Sequence, residues 1–321
     1  MRNFVDYYIK YTERVKHIND AAINSPQTLI TQMERQYRKR IDEIADYLFY
    51  DDGTTGNKLL MLAGPSSSGK TTTANMLCER LKWLGVRARR ISLDEFFLGK
   101  ARTPLLPDGT PDFESVNALD IPQMQECLLS LIEKGECMMP QFDFEHQRPK
   151  DEKVHVKLTE HEVVIVEGIH ALNPIVTDCL PEQSMLKVYI SVKQGILEGY
   201  DEILSAQELR LCRRLVRDML FLGNTPEETL DMWDNVLEGE KKFIQPFKFL
   251  ADVTINSLHI YEPCVISQIA LPLLRRVNED SPHFDRVMEL HDKLMKFEQI
   301  PAELVPENSL LREFIGGGIY G

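Results

Sequence analysis

Between positions 59 and 84 the chain reads LLMLAGPSSSGKTTTANMLCERLKWL, in which Gly64, Gly69, Lys70 and Thr71 satisfy G-x-x-x-x-G-K-[ST]. That spacing belongs to loops that bind phosphate. Glycine lets the backbone curl until successive N–H groups point inward at phosphate oxygens. A helix starting there adds the positive end of its dipole. Lys70 is placed to reach β- and γ-phosphates, and the Thr71 hydroxyl to ligate Mg²⁺. Pro65, Ser66, Ser67, Ser68 and Thr72 complete the expected cradle.

Moving phosphate to a hydroxyl takes more than a cradle. A carboxylate must accept the hydroxyl's proton, an acid must sit near Mg²⁺, and cations must neutralise the transferring group. Asp94 is the candidate base, because it sits just past the second strand and so reaches the sheet edge where open α/β sheets place their chemistry. Glu95 beside it would point elsewhere if the strand continued. Glu167 closes the apolar run VVIV and reads as the acid near the metal; such a residue is costly unless something cationic meets it. Arg213, Arg214 and Arg217 read as a lid over the phosphates, Arg217 being the candidate for transition-state charge; an exposed arginine face is the plain alternative. The loop Phe142-Asp143-Phe144-Glu145-His146-Gln147-Arg148 mixes aromatic, acidic and basic groups, a composition suited to a polar, ring-bearing acceptor. His146 by itself reads as a surface histidine, and no His/Cys spacing suggests a transition-metal site.

The elements that must position these groups follow from periodicity and breakers. Residues 59–63 form an apolar strand and 71–84 a helix, the strand–loop–helix context the motif needs. Ser25-Pro26 opens a helix over 26–49, with Leu29, Met33, Tyr37, Ile41, Ile44 and Leu48 on one face and Glu34, Arg35, Arg38, Lys39 and Arg40 on a solvated one. Positions 51–56 read as a turn-rich linker. A second strand covers 86–93, and an irregular excursion rich in Pro and Gly covers 98–120. A helix over 122–134 follows, and 138–140 pairs with 154–158 in a small sheet. Residues 163–166 form a buried strand, 186–191 and 251–256 further strands, and 207–220, 226–241, 261–276 and 284–297 helices. Alternating strands and helices imply a parallel sheet with helices on both faces. The expected organisation is a helical extension over 1–57, a core over 58–260 with an acceptor excursion at 98–160 and a lid at 207–226, and a helical extension over 261–321.

Composition narrows the classes. The 321 residues are 43% hydrophobic and 27% charged, ordinary for a globular protein. A net charge of −13 argues against nucleic acid as the main partner. The six cysteines, Cys78, Cys127, Cys137, Cys179, Cys212 and Cys264, include no C-x-x-C pair, which suits a reducing cytoplasm. The N-terminal MRNFVDYYIKYTERVKH is charged throughout, unlike a signal peptide. No apolar run approaches the roughly 18 residues of a spanning helix. Periodicity leaves a homo-oligomer through the flanking helices open.

In this order GPSSSGKT, SLDEFF, DFESVNALD, FDFEHQR, VEGIHALNP, RLCRRLVRD and PFKFLAD resemble the uridine kinase/phosphoribulokinase group of P-loop kinases, over about residues 58–256. The preceding QYRKRIDEIADYL and the tail PENSLLREFIGG are similar to a bacterial uridine kinase-like branch, without the N-terminal TGS and threonyl-tRNA-synthetase-like region some members carry. The resemblance implies a P-loop NTPase-type sheet, ATP (or GTP) with Mg²⁺, and phosphorylation of the 5′-hydroxyl of uridine or cytidine. It implies Asp94 as catalytic aspartate and Glu167 as the acid near the metal. Glu114 would hold ribose hydroxyls, His146 would contact the base, and Arg214 and Arg217 would be acceptor and lid arginines. Arg213 and Arg148 join the donor and acceptor sides respectively. Three departures stand on the acceptor and lid side: Phe142 replaces a tyrosine, and Leu222 and Asn224 replace two lid arginines. Two other outcomes therefore stay open, a kinase for another sugar-like hydroxyl acceptor and a nucleotide-binding protein without transfer activity.

Overall fold

The computed structural model describes residues 14–50 and 58–320. The expected linker at 51–56 and most of the charged N-terminal stretch lie outside the described residues. Two helices, α1 (Val15–Asn24) and α2 (Pro26–Tyr50), precede β1 (Lys58–Ala63), α3 (Lys70–Trp83) and β2 (Ala88–Ser92). After an irregular stretch come α4 (Ile121–Glu133), β3 (Glu136–Met139), β4 (Phe142–Asp143), β5 (Arg148–Pro149) and β6 (Val154–Lys157). The chain returns through β7 (Val163–Glu167), α5 (Pro174–Thr177), β8 (Met185–Ser191), β9 (Ile196–Glu198) and β10 (Asp201–Leu204). It ends with α6 (Ala206–Leu222), α7 (Pro226–Gly239), β11 (Val253–Asn256), α8 (Glu262–Leu274), α9 (Phe284–Leu294) and α10 (Arg312–Ile315).

Five of these strands form one parallel sheet in the order β11-β8-β1-β7-β2. Their side chains divide by a period of two. Leu60, Leu62, Ile165, Val188 and Ile255 face one layer, which holds α2, α3, α6 and α8. Leu59, Met61, Val164, Val166 and Ile91 face the other, against α4 and the small β3–β6 sheet. A strand buried on both faces must be apolar throughout, hence the uninterrupted runs of β1 and β7. Each such buried side chain contributes on the order of 1.5–3 kcal/mol.

Register fixes where the polar residues end up. Leu62 and Ser92 both lie opposite Glu167, so β1, β7 and β2 finish at one level. The chain runs to opposite sides of β1 before and after β7, which makes this edge a topological switch point.

The helices stop and start by local chemistry. Both α6 and α7 open with capping boxes, Ser205 with Glu208 and Thr225 with Glu228. Between them Gly223, at φ 72°, ends α6 in a left-handed turn. Helix α1, which the sequence pattern did not single out, packs against α2 through Val15, Ile18 and Ala22.

The expected solvated face of α2 needs one correction. Arg35 and Lys39 are exposed, but Glu34 is buried at 4%. Its carboxylate accepts from the Tyr261 hydroxyl at 2.6 Å and the Ser309 hydroxyl at 2.5 Å. One turn on, the Tyr37 hydroxyl bonds Thr73 Oγ1 at 2.5 Å, tying α2 to α3. Glu34 thus joins the N-terminal helices to the C-terminal segment through the interior. Glu34→Ala should lower stability by roughly 2–4 kcal/mol, because two buried hydroxyls lose their acceptor, and Glu34→Gln by less. Urea unfolding followed by circular dichroism measures both.

Candidate active site

The loop between β1 and α3 is shaped by its two glycines. A Cβ on Gly64 would stand 2.2 Å from the Ile190 carbonyl oxygen, and one on Gly69 2.4 Å from Leu310 Cδ1. Gly69 also sits at φ 90°, where side chains are strained. Lys70 Nζ folds back to donate to the Pro65 carbonyl at 3.1 Å. The hydroxyls of Ser67 and Ser68 are buried without a hydrogen-bond partner. Orphaned buried hydroxyls are rare, and two of them in a curled loop at a helix start fit a phosphate group. Ser66, Ser67, Gly69, Lys70 and Thr71 line a cavity of about 230 Å³. Gly64, Pro65, Ser68 and Thr72 are not among its lining residues.

Asp94 enters the same cavity from a short 3₁₀ turn after β2, its N–H held by Ser92 Oγ at 3.3 Å. Glu95 turns away and accepts from the Phe142 N–H at 2.7 Å, so it fastens the excursion to the sheet edge. Glu167 sits at the end of β7 and accepts from Arg90 at 3.1 Å, the cation that an acid on so apolar a strand requires. Glu114 closes the far side, its Cβ packed on the backbone of Gly239.

These carboxylates crowd one another. Burial pushes Asp94 up to about 7, the charge of Glu167 adding to the effect and Lys70 opposing it. Burial also raises Glu114 to about 7 against the pull of Arg214 and Lys70. Lys70 is lowered by burial, which outweighs Glu167, Asp94, Glu313 and Glu114 around it. Asp94 is therefore held near neutrality, where a general base works best. Thr71 and Glu167 offer hard oxygen donors of the kind Mg²⁺ takes, and they share this cavity.

The arginines of α6 divide differently from a lid. Positions 210, 213, 214 and 217 share one helix face, and that face is turned inward. Arg213 is fully buried: its guanidinium pairs with Glu262 at 2.6 Å and donates to the carbonyls of Ser257 at 2.7 Å and Ser67 at 3.2 Å. Its donors are engaged by the protein, so it braces the loop. Arg210 does the same through the Ser66 carbonyl at 3.2 Å and Glu240 at 2.6 Å. Arg214 donates to Ser66 Oγ at 3.0 Å and to Asp218 at 3.2 Å. Arg217, also paired with Asp218, lines the cavity.

Three expected acceptor residues are not among the residues that line this cavity. Phe142 is buried behind Phe97, ring centroids 5.6 Å apart, and does not line the cavity. The segment after it folds into a tight hairpin whose turn is closed by Asp143, which accepts from His146 Nδ1 at 2.8 Å. His146 and Arg148 consequently point into solvent, their side chains 62% and 72% exposed. Phe97, Phe113, Ile169 and Glu114 line the cavity instead. Phe97 and Phe113, which contact at 5.3 Å, lie within SLDEFF and DFESVNALD, but composition alone does not separate them from core aromatics. Glu313, from the C-terminal segment, also lines the cavity and carried no spacing signal.

A parallel sheet with a phosphate loop at its switch point, and carboxylates on the neighbouring strand ends, defines a P-loop phosphotransferase. The chain belongs to the phosphoribulokinase/uridine kinase family, whose profile matches residues 59–262. It is 29% identical over 197 residues to a uridine kinase of Oceanobacillus iheyensis, covering 60% of this chain and 83% of that one. It is 30% identical over 201 residues to a uridine kinase of Borrelia hermsii, covering 62% and 85%. Among solved structures, a protein of Silicibacter sp. TM1040 described as a fructose transport system kinase superposes with a TM-score of 0.50 at 20% identity, over 67% of this chain and 98% of that one. Family membership makes the chain an ATP-dependent small-molecule kinase, and P-loop kinases in general work with Mg²⁺.

Glu114 yields a pH test. Its folded-state affinity for a proton is raised from 4.5 to about 7, so the folded protein loses stability as pH rises through that window. Glu114→Gln should therefore be more stable than the natural protein by roughly 1–3 kcal/mol at pH 8. The difference should vanish below about pH 4.5, where both folded and unfolded carboxyls are protonated. Thermal melts across pH check the sign and the window.

Proposed function

We propose that this kinase transfers the γ-phosphoryl group of ATP to a hydroxyl of a small acceptor, with the 5′-hydroxyl of uridine or cytidine as the first candidate. The observation that carries the transfer is one cavity holding Lys70, Thr71, Asp94, Glu114 and Glu167. Lys70 and the N–H groups of the loop hold the triphosphate. Thr71 and Glu167 would hold Mg²⁺, which would supply neutralisation of phosphate charge. Asp94 accepts the acceptor's hydroxyl proton as that oxygen bonds to phosphorus and the bond to the bridging oxygen breaks, leaving ADP. Glu114 accepts hydrogen bonds from the acceptor's other hydroxyls, and Arg217 meets charge on the transferring group. Phe97, Phe113 and Ile169 enclose the acceptor's apolar edge.

The names of the similar uridine kinases favour a nucleoside. A second reading, a non-nucleoside polyhydroxyl acceptor, is favoured by the position of His146 and Arg148 on an exposed hairpin instead of at the cavity. A site that lacks a hydrogen-bonding partner for a base can change preference by orders of magnitude.

A coupled ADP-release assay across pyrimidine nucleosides, purine nucleosides, sugars and sugar acids decides between them. Turnover confined to non-nucleosides would remove the first reading. In the same assay Asp94→Asn should lower kcat by about 10²–10⁴ while leaving Mg·ATP binding within about threefold. Transfer that survives this substitution would remove Asp94 as the base.

A further inference from the structure

The chain beyond residue 262, outside the family match, does not end away from the site. Leu310 fills the space beside Gly69 and is fully buried. Three residues on, Glu313, which lines the cavity with Lys70 and Thr71, accepts through Oε2 from the backbone N–H of Thr72 at 3.1 Å, next to Thr71 and behind that lining. The segment is anchored on every side. Ser309 bonds Glu34, and Arg312 donates to the Ala302 carbonyl at 2.9 Å and the Gly316 carbonyl at 3.1 Å. Phe314 lies under the Arg213 guanidinium at 5.1 Å, and Asn75 Nδ2 donates to the Tyr320 carbonyl at 3.1 Å.

Thr72 is the third residue of α3, so its N–H has no partner within the helix. In a phosphate loop such N–H groups belong to the anion the loop binds. One N–H cannot serve a carboxylate and a phosphate at full strength, and the two anions repel at this distance. We propose that Glu313 is an internal anionic competitor for the phosphate seat at Thr72, which a donor nucleotide must displace, and that it thereby sets the affinity for the donor. The C-terminal segment is then part of the donor site: Leu310 backs the loop, and Glu313 is held against it by a helix anchored to α2, α3 and α6. A bound triphosphate turns the Glu313 side chain off Thr72 while Leu310 and Phe314 keep the backbone in place.

This inference rests on the nucleotide reading of the cavity, and the test separates the two. Mg·ATP and inorganic tripolyphosphate are titrated calorimetrically into the full-length protein, Glu313→Gln and Glu313→Ala. Both variants should bind both ligands about 5–10 times more tightly, with KM for ATP falling in proportion. Glu313→Gln keeps the size and the hydrogen bond and loses only the charge, so it reports competition even if Glu313→Ala loosens the segment. A residue that merely capped α3 would lower the melting temperature with no gain in affinity, and that result overturns the proposal. Weaker binding, marking Glu313 as a direct nucleotide ligand, overturns it as well. No binding of either ligand to any of the three proteins would overturn the nucleotide reading together with it.

Discussion

A loop that turns its N–H groups inward must turn its carbonyls outward, and those carbonyls need donors. Here they find them on α6: Arg210 reaches the carbonyl of Ser66 and Arg213 that of Ser67. Each guanidinium is in turn neutralised by a buried carboxylate, Glu240 and Glu262. A buried ion pair gains little over a well-packed apolar pair, but losing one partner leaves an uncompensated charge at a cost of about 3–5 kcal/mol. The conformation of the phosphate loop therefore depends on residues far along the chain. The core around β1, the start of α8 and the arginine face of α6 form one mechanical unit with it.

The site is a balance of charge. Asp94, Glu114, Glu167 and Glu313 surround Lys70, with Arg90, Arg214 and Arg217 at the margins. Burial raises the proton affinity of Asp94 and Glu114, and Lys70 opposes it in both. Beside the site aromatic edges pack in series, Phe113 on Phe97, Phe97 on Phe142 and Phe142 on Phe144. Glu95 holds this row to the sheet edge through the Phe142 N–H. One turn of chain, residues 93–97, thus brings both Asp94 and Phe97 to the cavity.

What the sequence alone determined is whatever depends on neighbours in the chain. The loop could be read because its glycines, lysine and threonine act within eight residues, and the strand ends because burial on both faces demands unbroken apolar runs. Glu167 followed from such a run and Asp94 from its place just past the second strand, and their meeting with Lys70 in one cavity follows from the register that aligns Ser92 with Glu167. Only the tertiary structure decided which polar residues face inward. Arginines at helical spacing read alike whether solvated or buried; Arg213 is buried because Glu262, 49 residues later, meets it. Glu34 looked like part of a solvated face until Tyr261 and Ser309 supplied its donors. His146 left the site because Asp143 closes a tight hairpin, and Glu313 joined it from 241 residues away. Periodicity states how a segment presents its own faces; which face finds a partner is set by packing between segments distant in the chain.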